Sequence, residues 1–175
     1  MTTQLEVTFR DIDFEDDCDC ECLAKWFNQE VRMVSLTQKG NETVESVRKS
    51  YLSRGNSNSG AFFILVEEKP VGYASFLINP QVKLSNHSVI WPSITIGEKA
   101  FRRKGLVYKL GEELCRKGHL HEATHIEAGI FFHNLPMVSL LKKYGFKEIG
   151  KKDVGPQKIA SIHYLREIPN LGKMS

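Results

Sequence analysis

The stretch that most constrains the fold is residues 94–114. Ile94-Thr95-Ile96 reads as the end of a strand, Arg102-Arg103-Lys104-Gly105 as a basic turn, and the residues from Leu106 onward as an amphipathic helix. A strand that passes through a tight turn into a helix belongs to a sheet with helices packed on it. The amides that open a helix have no intrahelical acceptors, and with the helix dipole they form a cradle for an anion the size of a pyrophosphate. Gly105 lets such an anion come close to the backbone. Neither G-x-x-x-x-G-K-S/T nor a G-x-G-x-x-G after a strand occurs, so nucleoside triphosphate and dinucleotide readings lose ground.

Periodicity along the rest of the chain predicts a strand over 5–12, helices over 15–29 and 43–52, and strands over 61–67 and 71–78 joined by a turn at Glu68-Lys69-Pro70. A strand over 88–96, a helix over 104–117, a strand over 125–132 and a short helix over 136–143 stopped by Gly145 follow, then strands over 146–151 and 158–165. In the first helix Cys18, Cys22, Leu23 and Trp26 form the expected buried stripe, and the acids of residues 11–21 suit its N-terminal dipole. The order β-α-α-β-β-β-α-β-α-β-β implies an α/β (α+β) chain, a mixed and mostly antiparallel sheet of about seven strands flanked by about four helices.

The length, 175 residues, suits one domain, with the core expected over 5–167. No apolar run is long enough to span a bilayer, and the first residues have neither part of a signal peptide, so a cytoplasmic location is expected and no membrane partner. Cys18, Cys20 and Cys22 alternate, and on a helix that points the thiols in different directions, so neither a disulfide framework nor a metal site is expected. Residues 1–100 carry 10 basic and 14 acidic side chains, whereas 101–175 carry 14 and 7. A basic half suits a polyanionic ligand and an acidic half a cationic one.

A second segment gives the first its meaning. Asn134-Leu135-Pro136 opens a short helix that ends in Tyr144-Gly145-Phe146. Together, in this order and spacing, the two segments resemble the GCN5-related N-acetyltransferase (GNAT) superfamily. Its pyrophosphate motif, Q/R-x-x-G-x-G/A, is matched by Arg102 and Gly105, while Val107 departs from it; its later motif is matched by Asn134, Gly145 and Phe146. Trp26, Asn28 and Val31 also resemble the W-x-N…V signature of the branch with ribosomal-protein N-terminal, spermidine and aminoglycoside acetyltransferases.

The resemblance implies acetyl-CoA as acyl donor, no metal, and transfer to a primary amine of a small cationic molecule or protein N-terminus. It places the pantetheine arm along Ile94, Thr95 and Ile96, splayed from the strand holding Glu127. It places the pyrophosphate on the amides of Arg103, Lys104, Gly105, Leu106 and Val107, with Arg102 nearby and Asn134 toward the pantetheine end. Trp26 and Asn28 are its candidate acceptor contacts, in a pocket built from residues 26–40 and 79–87.

Catalytic residues are not named by the resemblance. The family's usual tyrosine, seven residues after the asparagine, is Leu141, and the glutamate that some members carry five residues before it is Gly129. Tyr144 and Glu98 are the candidates that remain, with Ser139, His87, His133 and Glu127 behind them and a water chain as a further route. Leu141 keeps alive an alternative, a catalytically weak acyl-CoA-binding sensor or partner-binding module. A toxin-type acetyltransferase of aminoacyl-tRNA is a third reading, with Lys142, Lys143, Lys147, Lys151 and Lys152 as its basic face, although that face suits solvent or the 3′-phosphate of CoA equally and nucleic acid is not the expected partner. Similar proteins are commonly homodimers.

Overall fold

The computed structural model describes residues 5–29, 40–53, 57–154 and 158–170. The chain runs β1 (Val7–Asp11), α1 (Asp17–Gln29), α2 (Val44–Leu52), β2 (Ser59–Val66), β3 (Lys69–Ile78), β4 (Val89–Thr95), a 3₁₀ turn (Lys99–Phe101), α3 (Leu106–Leu120), β5 (His125–Phe131), α4 (Leu135–Lys143), β6 (Lys147–Val154) and β7 (Ile159–Glu167). The element order is the one read from the sequence. The strands form a mixed sheet in the order β1-β2-β3-β4-β5-β7-β6, with β4 and β5 parallel and the β1–β2, β5–β7 and β6–β7 pairs antiparallel.

Two expectations shift. The hairpin between β2 and β3 turns at Glu67 and Glu68, both left-handed, with φ of 49° and 63°, and Pro70 lies inside β3 rather than in the turn. In α1 the buried residues are Cys20, Leu23, Ala24, Trp26 and Phe27, while Cys18 is exposed. Leu23 and Trp26 are thus buried as expected and Cys22 is half-buried, while Cys20 rather than Cys18 faces the core in the first turn. Asp19 is buried next to Cys20 and takes both Nη groups of Arg10, at 2.9 and 2.7 Å, together with the Asp13 amide at 3.0 Å. A carboxylate with three donors can be buried where an unpaired one cannot.

The chain divides into two compact units, Met1–Ser75 with Ile94–Arg102, and Phe76–Ser93 with Arg103–Ser175. In the first, Trp26 has no exposed surface; its indole lies edge-on to Phe63 and stacked on Tyr73, at 6.0 and 6.4 Å, with Leu23, Phe27 and Val47 around it. Thr43 and Ser46 form a reciprocal capping box at the start of α2, satisfying two amides that the helix itself leaves unpaired.

In the second unit β5 and β7 pair over seven positions, from His125↔Glu167 to Phe131↔Ser161. The alternation of the strands sends Ala128, Ile130, Ile162 and Tyr164 to one face, where Leu141, Met137 and Val138 of α4 cover them. Glu127 and Gly129 of β5 and Ser161 and His163 of β7 share the other face. α3 buries Leu106, Leu110, Leu114, Cys115 and Gly118, and an added Cβ at Gly118 would stand 2.5 Å from Ile168 Cδ1. Gly145, at φ 77°, ends α4 as expected, with the Phe146 amide donating to the Leu141 carbonyl at 3.0 Å.

Candidate active site

In the first unit the strand expected to carry a pantetheine arm is fixed from three sides. Gly72 brings β3 so near that a Cβ there would stand 2.5 Å from the Thr95 carbonyl oxygen. Gly97 lies against the indole of Trp26, where a Cβ would fall 2.2 Å from a ring carbon. The Glu98 amide donates to the Val71 carbonyl at 2.9 Å, and the Glu98 Oε1 accepts from Lys25 Nζ at 2.7 Å and from Trp26 Nε1 at 2.9 Å. Ile94, Thr95 and Ile96, half-buried, are thus held before any ligand arrives.

The turn that follows begins with Arg102, whose Nε donates to the Ile96 carbonyl at 3.0 Å. In the second unit Arg103 takes a left-handed φ of 61° and Gly105, the residue before α3, one of 78°. No side chain caps α3, and its first turn-closing bond runs from the Tyr108 amide to the Gly105 carbonyl at 3.1 Å. A Cβ built on Gly105 meets nothing within 4 Å. The turn therefore offers open space beside the amides of Gly105, Leu106 and Val107, with the exposed Arg103 and Lys104 adding positive charge. These residues fit a pyrophosphate.

Within the second unit β4 and β5 pair only at Val89↔His125 and Ile90↔Ile126, the first two residues of two seven-residue strands. Pro92, with no amide to donate, stands two residues past the last pair. Unpaired strand edges beyond such a point are available to an extended ligand that adds to the sheet. Asn134 is the N-cap of α4, its Oδ1 accepting from the Met137 amide at 3.4 Å.

The expected acceptor contacts are placed elsewhere. Trp26 is core, packed on Gly97, so its indole is a brace for the strand end rather than a pocket wall. The Asn28 amide is spent on Glu42, donating to its carbonyl at 2.9 Å and accepting from its amide at 2.7 Å. Val31, with residues 30–39 of the expected pocket, lies outside the described residues. Leu141 packs in the core against Ala128 and Tyr164, which explains how a leucine is accommodated there.

Among the candidate acids and bases, Glu98 is held below the ordinary glutamate value of 4.5 by the Lys25 ammonium, then by Trp26. A carboxylate so stabilised is a poor proton acceptor at neutral pH. Tyr144 follows α4 and its ring lies 6.0 Å from that of Tyr108 in the first turn of α3, while Ser139 is exposed. His87 stacks on His125 at 3.8 Å, and the exposed His133 on Phe131 at 5.8 Å. Glu127 is another matter, because it is fully buried and bonded to His163, a residue for which the sequence offered no signal.

Among the described residues no group of three His, Cys, Asp or Glu side chains converges as a metal site, and no helix is long and apolar enough to cross a membrane.

Residues 20–146 match the model of the acetyltransferase (GNAT) family, and the chain belongs to it. It uses acetyl-CoA and is an N-acetyltransferase by class. Solved structures agree in fold. A ribosomal-protein-alanine N-acetyltransferase from Brucella melitensis is 19% identical, over 91% of this chain and 99% of its own, with a TM-score of 0.73. A putative acetyltransferase from Salmonella typhimurium, solved with its cofactor acetyl-CoA, is 18% identical over 97% and 98%, with a TM-score of 0.70. An N-acetyltransferase from Staphylococcus aureus Mu50 is 17% identical over 94% and 99%, at 0.71. No curated protein matches the chain.

Proposed function

We propose that this chain transfers the acetyl group of acetyl-CoA to a primary amine, on a small cationic molecule or a protein N-terminus, by direct attack of the amine on the thioester. The observation that carries the reading is the α3 turn: two left-handed residues, Arg103 and Gly105, an uncapped helix start and open space where a Cβ would stand. Arg103, Lys104, Gly105, Leu106 and Val107 hold the pyrophosphate, Arg102 braces the turn through Ile96, and Ile94, Thr95 and Ile96 offer backbone to the pantetheine arm. Asn134 orients the start of α4. Bound acetyl-CoA supplies an activated carbonyl with a good leaving group, so orientation of the amine accounts for much of the acceleration. The acidic surface around residues 11–21 supports a cationic acceptor.

The core packing of Leu141 favours a second reading, a chain that binds acyl-CoA and turns it over weakly. Thiol release from acetyl-CoA over polyamines, aminoglycosides, amino sugars and N-terminal peptides separates the two. Turnover that vanishes in Gly105→Glu, which forces a carboxylate into the anion cradle at a strained φ, supports the transferase. CoA binding that Gly105→Glu abolishes, without turnover of any amine, supports the binder.

A further inference from the structure

We propose that Glu127 and His163 form the acid–base site of the transfer, with His163 Nε2 accepting the proton of the attacking amine, directly or through one water. The proposal rests on the acyl-transfer reading and adds a catalytic residue to it.

The register of the sheet brings the pair together. His163 stands opposite Gly129 in the β5–β7 ladder, and Glu127 is two residues away on the same face. Gly129 has no side chain to fill that face; a Cβ there would lie 2.8 Å from the Trp91 Cη2 and from the Ser161 Oγ. The imidazole accordingly lies against Trp91, ring centroids 5.2 Å apart. Trp91 is the first residue of β4 beyond its last pair with β5, so His163 lies at the depth where the two strands part, within the second unit.

Hydrogen bonding assigns the tautomer. Glu127 Oε1 accepts from the Leu84 amide at 2.6 Å and faces His163 Nδ1 at 3.0 Å, and Oε2 accepts from the Ser85 amide at 3.1 Å. An ionised carboxylate only accepts, so Nδ1 carries a hydrogen, and in the neutral tautomer this leaves the lone pair on Nε2. That Nε2 is buried and has no partner among the described residues. The Ser85 side chain turns toward the same carboxylate and helps to hold it ionised. Buried polar atoms are almost always paired, and the one on His163 that is not, in a ring bonded to a buried carboxylate, marks a site that receives its partner from outside. A lone pair takes an N–H or O–H donor. The incoming amine is the donor that the reaction brings.

The step balances without a further reagent. The amine lone pair forms the C–N bond to the thioester carbonyl carbon, the C–S electron pair leaves with sulfur, and the nitrogen proton passes to Nε2. His163 then returns a proton to the thiolate, leaving amide and free thiol.

The test compares the unaltered chain with His163→Gln and Glu127→Gln, measuring thiol release from acetyl-CoA with spermidine and with an alanine-initiated peptide. Nitrogen NMR of the histidine rings in the free protein is read alongside. Expected are a kcat lower by about 10²-fold or more in His163→Gln, a smaller loss in Glu127→Gln, a KM for acetyl-CoA changed by less than about twofold, and a bare Nε2 in the unaltered protein that shifts when the amines are added with CoA. A kcat within about twofold of the unaltered chain overturns the proposal. So does a protonated Nε2, or a fall of acetyl-CoA affinity in step with kcat, which assigns the pair to structure alone. If the unaltered chain releases no thiol with either amine or with the wider panel, the acyl-transfer reading itself fails, and this assignment falls with it.

Discussion

Glu98 and Glu127 are both carboxyls held below the ordinary glutamate value of 4.5, and they reach that state by different routes. Glu98, in the first unit, keeps 38% of its side chain exposed and is charged because a lysine ammonium and an indole N–H point at it. Glu127, in the second, has no exposed surface; burial pushes its carboxyl up, and the bonds it accepts from the Leu84–Ser85 segment and His163 outweigh that push. Solvent can replace the partners of the first at little cost. Nothing can replace those of the second, so the same residue type is a surface latch in one place and a determinant of folding in the other.

Removing the buried carboxylate tests that contrast most severely. Glu127→Ala leaves two backbone amides and an imidazole N–H buried without an acceptor, and at about 1–3 kcal/mol for each buried donor left unpaired it is expected to cost about 3 kcal/mol or more. Urea unfolding followed by fluorescence measures it through the midpoint. Glu127→Gln keeps the shape and one acceptor oxygen but turns the other end into a donor facing donors, and an expected loss of about 1–3 kcal/mol follows.

Acid sharpens the same comparison. A carboxyl whose folded pKa lies below its unfolded one contributes its full stabilisation above the unfolded value and loses it as pH falls through the folded value. For Glu127 the window therefore opens near 4.5 and extends below it. The stability gap between the unaltered chain and Glu127→Gln should hold constant from neutral pH down to that point, then narrow. A gap that already narrows near neutral pH would mean that the carboxylate is not held down, and the tautomer assigned to His163 would lose its basis.

The sequence shows one of these carboxylates more clearly than the other. Element order was legible because each segment carries its own period, and Gly105 was legible because a strand, a basic turn and a helix announce it locally. The turn at Glu67 and Glu68 was not, since both residues take left-handed φ values without being glycine, and Pro70 drew attention away from them. Trp26 illustrates a different limit: three- and four-residue spacing marks an apolar face without saying whether that face meets core or ligand. Leu141 could be counted from Asn134 and proved to be packed in the core. The pairing of Glu127 with His163 depends on the β5–β7 register across 36 residues, which no local pattern encodes.

The smallest expected effect belongs to Glu98→Gln. The Lys25–Glu98 ion pair is largely in solvent, with 54% and 38% of the side chains exposed, so screening discounts it to about 0.2–1 kcal/mol. A glutamine can still accept from the Trp26 Nε1, which keeps the indole on Gly97 and the end of β4 in place. The variant should therefore unfold within about 1 kcal/mol of the unaltered chain at low salt, and the difference should shrink further in 1 M salt, where the Debye length is about 3 Å. Acetyl-CoA affinity, measured by calorimetry, should change little, because the strand proposed to carry the pantetheine arm is braced by packing and backbone bonds rather than by that charge. A loss of affinity in Glu98→Gln that salt reproduces in the unaltered chain would reverse the ranking, making the exposed ion pair the element that holds the strand proposed for the cofactor.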